Sequence, residues 1–237
     1  MTKKILMIAS NPATSPVTGW PIGFWWAELS HSWNAFHDAG YDITVASPKG
    51  GKLEADGWSD PEHESGYAAS DILSMGFKKS PMTAALIEDT PSISSLNMGD
   101  FDALFIVGGQ GPMVTMYEDE ALHKVIADFY ETGKITSAVC HGTCVLLKVT
   151  LSNGDLLVKG KTWTGFANSE ERYAEHAAGQ KIQPFWIETE AREIEDSNFI
   201  TGGHLVAFAV RDGNLITGQQ QVSAKATAEK VIAALGA

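Results

Sequence analysis

Short apolar runs, separated by segments with helical spacing, recur along the chain. Four of these runs have the length of β-strands and are bounded by turn-forming residues: residues 3–9, 42–47, 103–107 and 135–139. They are apolar over most of their length and do not alternate regularly with polar residues. This pattern predicts parallel strands that are covered on both faces.

Helical spacing follows several of these runs. Residues 23–39 carry apolar side chains at helical intervals and end at Gly40, and residues 119–132 form a similar stretch that ends at Gly133. Residues 141–149 are helical in composition. Alternating strands and helices predict a doubly wound α/β domain, in which helices sandwich a mostly parallel sheet. We expect a single domain over residues 1–237.

Residues 50–100 fit the alternation less well. They contain clusters of Gly, Ser, Asp and Pro, with one short helical patch at residues 82–88. We interpret the segment as an insertion between sheet elements that forms a lid or a partner surface.

Composition narrows the functional classes. Apolar residues make up 44% of the chain and charged residues 19%, as in ordinary soluble domains. The net charge of −12 argues against a nucleic-acid partner, because clustered Lys and Arg bind phosphate backbones. No segment approaches the roughly 20 apolar residues of a membrane-spanning helix, and two cysteines are too few for a disulfide scaffold. We therefore expect a cytoplasmic protein without a membrane partner.

The strongest chemical signal is Cys140, which directly follows the strand at 135–139 and precedes His141 and Gly142. In open α/β sheets, ligands lie beyond the carboxyl ends of the strands. A helix that begins there would favour the thiolate over the thiol, and the arrangement resembles the sharp nucleophile turn of hydrolases. The alternative is a buried cysteine that happens to follow a strand. Cys144, one turn later, fits a small buried apolar residue.

Two further features would complete such a site. Gly109 and Gln110 lie in a Gly-rich loop after the strand at 103–107, where backbone N–H groups can face an oxyanion. A plain tight turn is the alternative for this loop. Glu28 lies in an apolar stretch of the first helix. It is either a partly buried carboxyl with a raised pKa or a surface glutamate.

The remaining residues with chemical potential carry weaker signals. The seven histidines show no metal-binding spacing, so we expect no metal and no cofactor. The tryptophans around the first helix fit core or dimer contacts. A role for Trp20 or Trp25 in the wall of a substrate pocket is the alternative.

Together these segments resemble the ThiJ/PfpI superfamily, which has a class I glutamine amidotransferase-like, flavodoxin-like fold. The matching segments follow the family order over nearly the whole chain: residues 18–19 with Glu28, then 39–51, 106–111, 138–142, 164–171, 184–185 and 214–219. Within the superfamily the chain looks closest to the branch that contains glutathione-independent glyoxalases (glyoxalase III) and heat-shock chaperones.

The resemblance implies a catalytic set at the matching positions. Cys140 would be the nucleophile, His141 its acid–base partner, and Glu28 the group that holds the thiolate. Glu171 would orient the histidine, and we prefer it to the adjacent Glu170 because of its spacing from the Thr-Gly-Phe segment.

The resemblance also implies oxyanion and substrate contacts by Gly109, Gln110 and Gly142, with the backbone N–H of His141 as a further donor. Two departures from the family pattern leave the substrate open. Gln110 stands where many relatives carry His, and Gln220-Gln221 replaces the commoner Asn-Pro pair.

The implied function is that of a lyase of the glyoxalase III type. It would convert methylglyoxal or a similar 2-oxoaldehyde to a 2-hydroxy acid, without glutathione or a metal. The alternatives are a small amide or peptide hydrolase, a deglycase, or a stress-response holdase that binds unfolded clients through residues 20–33 and 50–100. The resemblance also implies a homodimer.

Overall fold

A six-stranded sheet organises the computed structural model, which describes residues 2–236. The strands of the described chain are β1 (Lys4–Ile8), β2 (Ala13–Thr14), β3 (Pro21–Ile22), β4 (Asp42–Ala46), β5 (Ala103–Ile106), β6 (Ile135–Val139), β7 (Thr162–Trp163), β8 (Asn198–Phe199), β9 (Ala209–Asp212) and β10 (Leu215–Gly218). The main sheet has the order β4-β1-β5-β6-β10-β9. All its pairs are parallel except β9 with β10.

Helices cover this sheet. They are α1 (Trp26–Asp38), α2 (Ile72–Lys79), α3 (Pro81–Glu88), α4 (Pro112–Thr115), α5 (Glu120–Glu131), α6 (Asn168–Ala178), α7 (Ile187–Arg192) and α8 (Ala224–Leu235). Short 3₁₀ helices span Gly57–Ser59, Ile93–Ser95, Met98–Asp100, Cys140–Leu147 and Gln221–Ser223. The predicted doubly wound α/β fold is confirmed.

The apolar strands lie where their composition predicts. Residues 5–8 of β1 and all of β5 are fully buried, and β1 pairs with β4 on one side and with β5 on the other. Central parallel strands have no solvent-facing side, so every position favours an apolar residue. The carboxyl ends of β1, β5 and β6 meet at one edge of the sheet, which is where an open α/β sheet binds its ligand.

Two local predictions need correction. The composition of residues 141–149 predicts an α-helix, but Cys140–Leu147 forms a 3₁₀ helix. The Thr143 hydroxyl donates to the Cys140 carbonyl at 2.6 Å and so competes with the helical bond of that carbonyl. In the segment 50–100, the helical patch lengthens to α3, and α2, which the sequence pattern does not predict, precedes it.

Within residues 2–236, no helix combines the length and the hydrophobicity needed to cross a lipid bilayer.

Candidate active site

The turn after β6 places Cys140 at the carboxyl edge of the sheet. Its φ of +57° lies in the left-handed region, which costs a non-glycine residue roughly 1–3 kcal/mol. Two glycines make room for this turn. A Cβ on Gly108 would come 2.9 Å from the Cβ of Cys140, and one on Gly142 would come 2.9 Å from the Val107 carbonyl oxygen. The turn therefore requires glycine at position 142 and also at position 108, in the neighbouring loop.

His141 and Glu171 form a buried hydrogen-bonded pair beside the thiol. His141 Nδ1 lies 3.4 Å from Cys140 Sγ, and His141 Nε2 lies 2.9 Å from Glu171 Oε1. Since an ionised carboxylate only accepts, the Nε2 atom carries the ring proton and the Nδ1 atom presents a lone pair to the thiol. The Phe166 ring stacks on the imidazole at 4.1 Å between centroids and holds its plane. This is the geometry of a nucleophile, a base and a group that orients the base.

Glu170 and Glu171 are neighbours in the first turn of α6 but have different partners. Glu170 Oε1 accepts from Gln219 Nε2 at 2.9 Å and from the Leu205 backbone N–H at 3.1 Å. Glu170 thus anchors the loop between β8 and β9. The histidine contact belongs to Glu171.

Helix α1 places Glu28 beneath the loop that follows β5. The side chain is fully buried, and its Oε2 atom accepts from the Gly108 backbone N–H at 2.7 Å. Its Oε1 atom has no nitrogen or oxygen partner among the described residues. The carboxyl adjoins the Cys140 thiol. Burial raises the pKa of Glu28 to about 8, so the carboxyl keeps its proton at neutral pH. The surface alternative for Glu28 is therefore wrong.

The electrostatics of Cys140 differ from the expectation drawn from its place in the sequence. Burial raises the pKa of the Cys140 thiol, and the Glu28 carboxyl raises it further. The nearby backbone N–H groups of Gly109 and His141 lower this pKa, but burial has the larger effect. The expected preference for thiolate from a helix N-terminus is thus overturned. Cys140 and Glu28 together hold at least one proton at neutral pH.

Asp56 ties the Gly-rich loop to the segment 50–100. It is 1% exposed, and its carboxyl accepts from the Gly23 backbone N–H at 3.0 Å and from the Gln110 backbone N–H at 2.6 Å. Burial raises the pKa of Asp56 to about 7. These bonds fix the loop that carries Gly109 next to the sulfur.

A cavity of about 140 Å³ opens beside the catalytic candidates Cys140 and His141. Much of its wall is aromatic: Trp25, Trp58, Tyr67, Phe166 and Tyr173. Trp58 and Tyr67 come from the segment 50–100, which therefore contributes to the site. The Tyr67 hydroxyl accepts from Gln221 Nε2 at 3.1 Å and joins this segment to the residues after β10.

The residues predicted to bind substrate lie in different surroundings. Gly109 has φ of +99°, and its backbone N–H faces the sulfur. Gln110 lines the cavity, and its buried Oε1 atom has no hydrogen-bond partner among the described residues. Neither Gly142 nor Gly109 is among the described residues that line the cavity, and the substrate contacts of both stay predictions. Gly142 packs against the backbone carbonyls of Ile106 and Val107, so close that no side chain fits there.

Sequence reasoning missed Asp56, Trp58, Tyr67 and the stacking role of Phe166. Asp56 and Trp58 lie in an Ala-Asp-Gly-Trp stretch that indicates only a turn. Phe166 had a signal, because it belongs to the Thr-Gly-Phe segment that matches the family pattern. Nothing in the local sequence around Tyr67 indicates that it reaches the cavity.

Comparisons with known proteins find relatives over nearly the whole chain. The sequence pattern of the DJ-1/PfpI family matches residues 23–234. Glyoxalase 3 of Candida albicans is 28% identical over 236 residues, which cover 99% of this chain and 98% of the relative. A glutathione-independent glyoxalase of Saccharomyces cerevisiae is 25% identical, and the match covers 98% of each chain.

Solved structures give the same result at the level of the fold. The crystal structure of glyoxalase III from Candida albicans superimposes with a TM-score of 0.79 at 28% identity, over 98% of this chain and 97% of the other. The 24-kDa rapid encystment protein of Francisella tularensis superimposes with a TM-score of 0.87 over the whole of both chains. Its identity is 23%, so this second likeness concerns the fold alone.

Proposed function

The chain belongs to the DJ-1/PfpI family, and from this premise we propose that it is a glutathione-independent glyoxalase. It converts methylglyoxal and related 2-oxoaldehydes to 2-hydroxy acids. The names of its relatives support this reaction class. Within the chain, the observation that carries the proposal is the connected set of Cys140, His141 and Glu171 beside a cavity.

The first step is addition of the Cys140 sulfur to the aldehyde carbon of the substrate. The lone pair of His141 Nδ1, 3.4 Å from the sulfur, takes the thiol proton as the carbon–sulfur bond forms. The backbone N–H groups of Gly109 and His141 lie near the sulfur, so they are placed to donate to the oxygen of the resulting hemithioacetal. Donors fixed in place before the reaction stabilise charge on that oxygen without reorganising.

The second step moves a hydrogen from the former aldehyde carbon to the neighbouring ketone carbon. His141 first returns the thiol proton to the hemithioacetal oxygen and then removes the proton of the former aldehyde carbon to give an enediol. It delivers this proton to the adjacent carbon, and loss of the proton on the hemithioacetal oxygen converts the adduct to a thioester. Glu171 keeps the imidazole in one tautomer and balances the imidazolium that forms. Water then cleaves the thioester and releases the 2-hydroxy acid and the free thiol. The sum is one 2-oxoaldehyde and one water to one 2-hydroxy acid, with no external oxidant or reductant.

Glu28 supports the thiolate at this site. Its carboxyl is protonated at neutral pH and adjoins the sulfur, so it can donate a hydrogen bond to a thiolate that is almost completely buried. The Gly108 N–H bond to its other oxygen keeps the carboxyl oriented.

The experiment is to incubate the enzyme with methylglyoxal in D₂O, without glutathione and with a chelator present, and to analyse the lactate by NMR. Deuterium at C2 of lactate would support the enediol route, since His141 can exchange its proton with solvent before it returns a proton to carbon. A folded His141→Ala protein that forms lactate at the wild-type rate would contradict the role of His141. Absence of lactate would contradict the proposed function.

The same Cys140 chemistry would also serve an amide or peptide hydrolase. The two reactions differ in their products, because amide cleavage releases an amine whereas the glyoxalase reaction releases none. Amine release from peptides, combined with inactivity toward 2-oxoaldehydes, would decide for hydrolysis.

The homodimer and the cytoplasmic location stay predictions. Sedimentation equilibrium of the purified protein tests the first, and cell fractionation tests the second.

A further inference from the structure

The cavity beside Cys140 is large enough for a substrate substituent that is bigger than a methyl group. Its volume is about 140 Å³, close to the roughly 150 Å³ of an engineered apolar cavity that binds benzene in another protein. Methylglyoxal carries a single methyl group beyond its two carbonyls. It would leave most of this volume unfilled, and an unfilled cavity forfeits dispersion contacts along its wall.

The wall matches an aromatic ring in chemistry as well as in size. Five aromatic side chains line it, and the aliphatic side chains of Ile182 and Leu205 add to its apolar surface. The Trp25 and Tyr67 rings already meet edge to face, with 6.0 Å between their centroids. Aromatic pairs prefer such edge and offset contacts at roughly 4.5–7 Å, which a ligand ring would extend.

Charge excludes one class of substituent. No Lys or Arg is present among the described residues that line the cavity, and the ionisable carboxyls there are Glu170 and Glu171. Both are buried and engaged, Glu171 with His141 and Glu170 with Gln219. An anionic substituent would lose its hydration without gaining a cationic partner. The net charge of −12 opposes anions at longer range as well.

We propose that this enzyme selects 2-oxoaldehydes whose substituent is an uncharged aromatic ring, with phenylglyoxal as the simplest example. The inference rests on the proposed function and specifies its substrate class. Phenylglyoxal and one water give mandelate by the steps described above. The aldehyde hydrogen leaves as a proton, the ketone carbon gains one, and no second substrate is consumed.

Initial rates with phenylglyoxal and methylglyoxal test the preference. We expect kcat/KM for phenylglyoxal to exceed that for methylglyoxal at least roughly tenfold, since one or two buried methylene equivalents are worth that much. A value for methylglyoxal equal to or above that for phenylglyoxal would overturn the proposal.

A matched pair of variants on α6 tests the site of the ring. Ala174 lines the cavity, whereas His176 is exposed on the same helix and is not a lining residue. Ala174→Leu fills the space for the ring and should lower the ratio of the two kcat/KM values at least roughly tenfold. His176→Leu should leave the ratio as it is in the wild type. An unchanged ratio in a folded Ala174→Leu protein would contradict the placement of the ring.

A binding measurement separates this inference from the proposed function. Acetophenone carries the ring and the ketone but no aldehyde, and benzoate is an anionic probe of similar size. Isothermal titration of the Cys140→Ala protein should show saturable binding of acetophenone. The Cys140→Ala, Ala174→Leu double variant should lose this binding. Benzoate should bind the Cys140→Ala protein more weakly than acetophenone, by roughly tenfold or more. If neither aldehyde is turned over but acetophenone binds in this way, the glyoxalase proposal fails and the aromatic site stands. No saturable acetophenone binding overturns the aromatic site.

Discussion

The Nε2 atom of His141 lies 2.9 Å from Glu171 Oε1, and both side chains are almost completely buried. This contact assigns the ring proton to Nε2, which leaves the Nδ1 lone pair facing the Cys140 sulfur. The chemistry proposed for the site depends on this tautomer. The contact therefore gives the first prediction.

Glu171→Gln should lower kcat by about 10²–10⁴-fold, because a glutamine amide that donates to Nε2 moves the ring proton to Nδ1. Substrate binding should change little, since the shape of the site is kept. The matched control is Glu170→Gln, which keeps an acceptor for Leu205 and Gln219. It should lower kcat by less than roughly tenfold. Equal losses in both variants would mean that the histidine contact has no special role.

The pKa of Glu28 predicts how stability depends on pH. The unfolded chain releases this proton near pH 4.5, whereas the native protein keeps it until about pH 8. The native state therefore binds more protons between these values. The contribution of the buried carboxyl to stability is fully present below pH 4.5 and is lost as the pH rises through about 8.

Glu28→Gln removes this dependence. Between about pH 5 and pH 9, the free energy of unfolding of Glu28→Gln should gain about 4 kcal/mol relative to the wild type, as measured by urea titration at each pH. The exposed Glu195 serves as the control position. Glu195→Gln should follow the wild type throughout, and a parallel course for Glu28→Gln would contradict the raised pKa.

Asp56→Asn tests whether this carboxyl positions the Gly-rich loop. An asparagine can accept only one of the two backbone bonds, so the N–H of Gln110 or Gly23 loses its partner. We expect the free energy of unfolding to fall by about 1–3 kcal/mol and kcat/KM to fall roughly tenfold or more. Alkylation of Cys140 by iodoacetamide develops no oxyanion and should slow much less. Equal loss of alkylation and turnover would indicate a general collapse of the site.

Gly108→Ala tests the close packing around the nucleophile. An added Cβ would overlap Glu28 Oε2 and come 2.9 Å from Cys140 Cβ, so the carboxyl or the turn must move. Turnover should fall at least roughly 10²-fold. Gly76 in α2 is the control, because a Cβ added there would meet no other element of the fold within 4 Å. Gly76→Ala should keep full turnover and stabilise α2 by up to about 1 kcal/mol.

The sequence was sufficient for β1, β4, β5 and β6 because apolar residues fill most of each strand, whereas β9 and β10 of the main sheet were not predicted. β6 occupies the predicted residues 135–139, and β5 ends one residue before the predicted end at 107. The segment 50–100 was harder, since α2 is short and contains Gly76, which weakens the helical signal. Its N-cap, the Asp71 side chain that accepts from the Ser74 N–H, is a local signal that was available.

The sequence predicts the site residues that lie on one local turn. It does not predict the residues that reach the site through contacts distant in sequence. Cys140 and His141 follow a strand, so their position at the sheet edge follows from the pattern. The burial of Glu28 and the raised pKa of Cys140 depend on how α1 packs beneath the Gly108 loop, 80 residues away in sequence. Asp56 and Tyr67 reach the site through a segment with no strong periodicity.

The most direct test of the account is lactate formation from methylglyoxal by the Cys140→Ala and Cys144→Ala proteins, without glutathione. Both thiols are buried, but only Cys140 is among the described residues that line the cavity. Cys140→Ala should lose turnover to the background rate, and Cys144→Ala should keep at least half of the wild-type kcat. Turnover by a folded Cys140→Ala protein at the wild-type rate would contradict the central claim that this cysteine is the nucleophile.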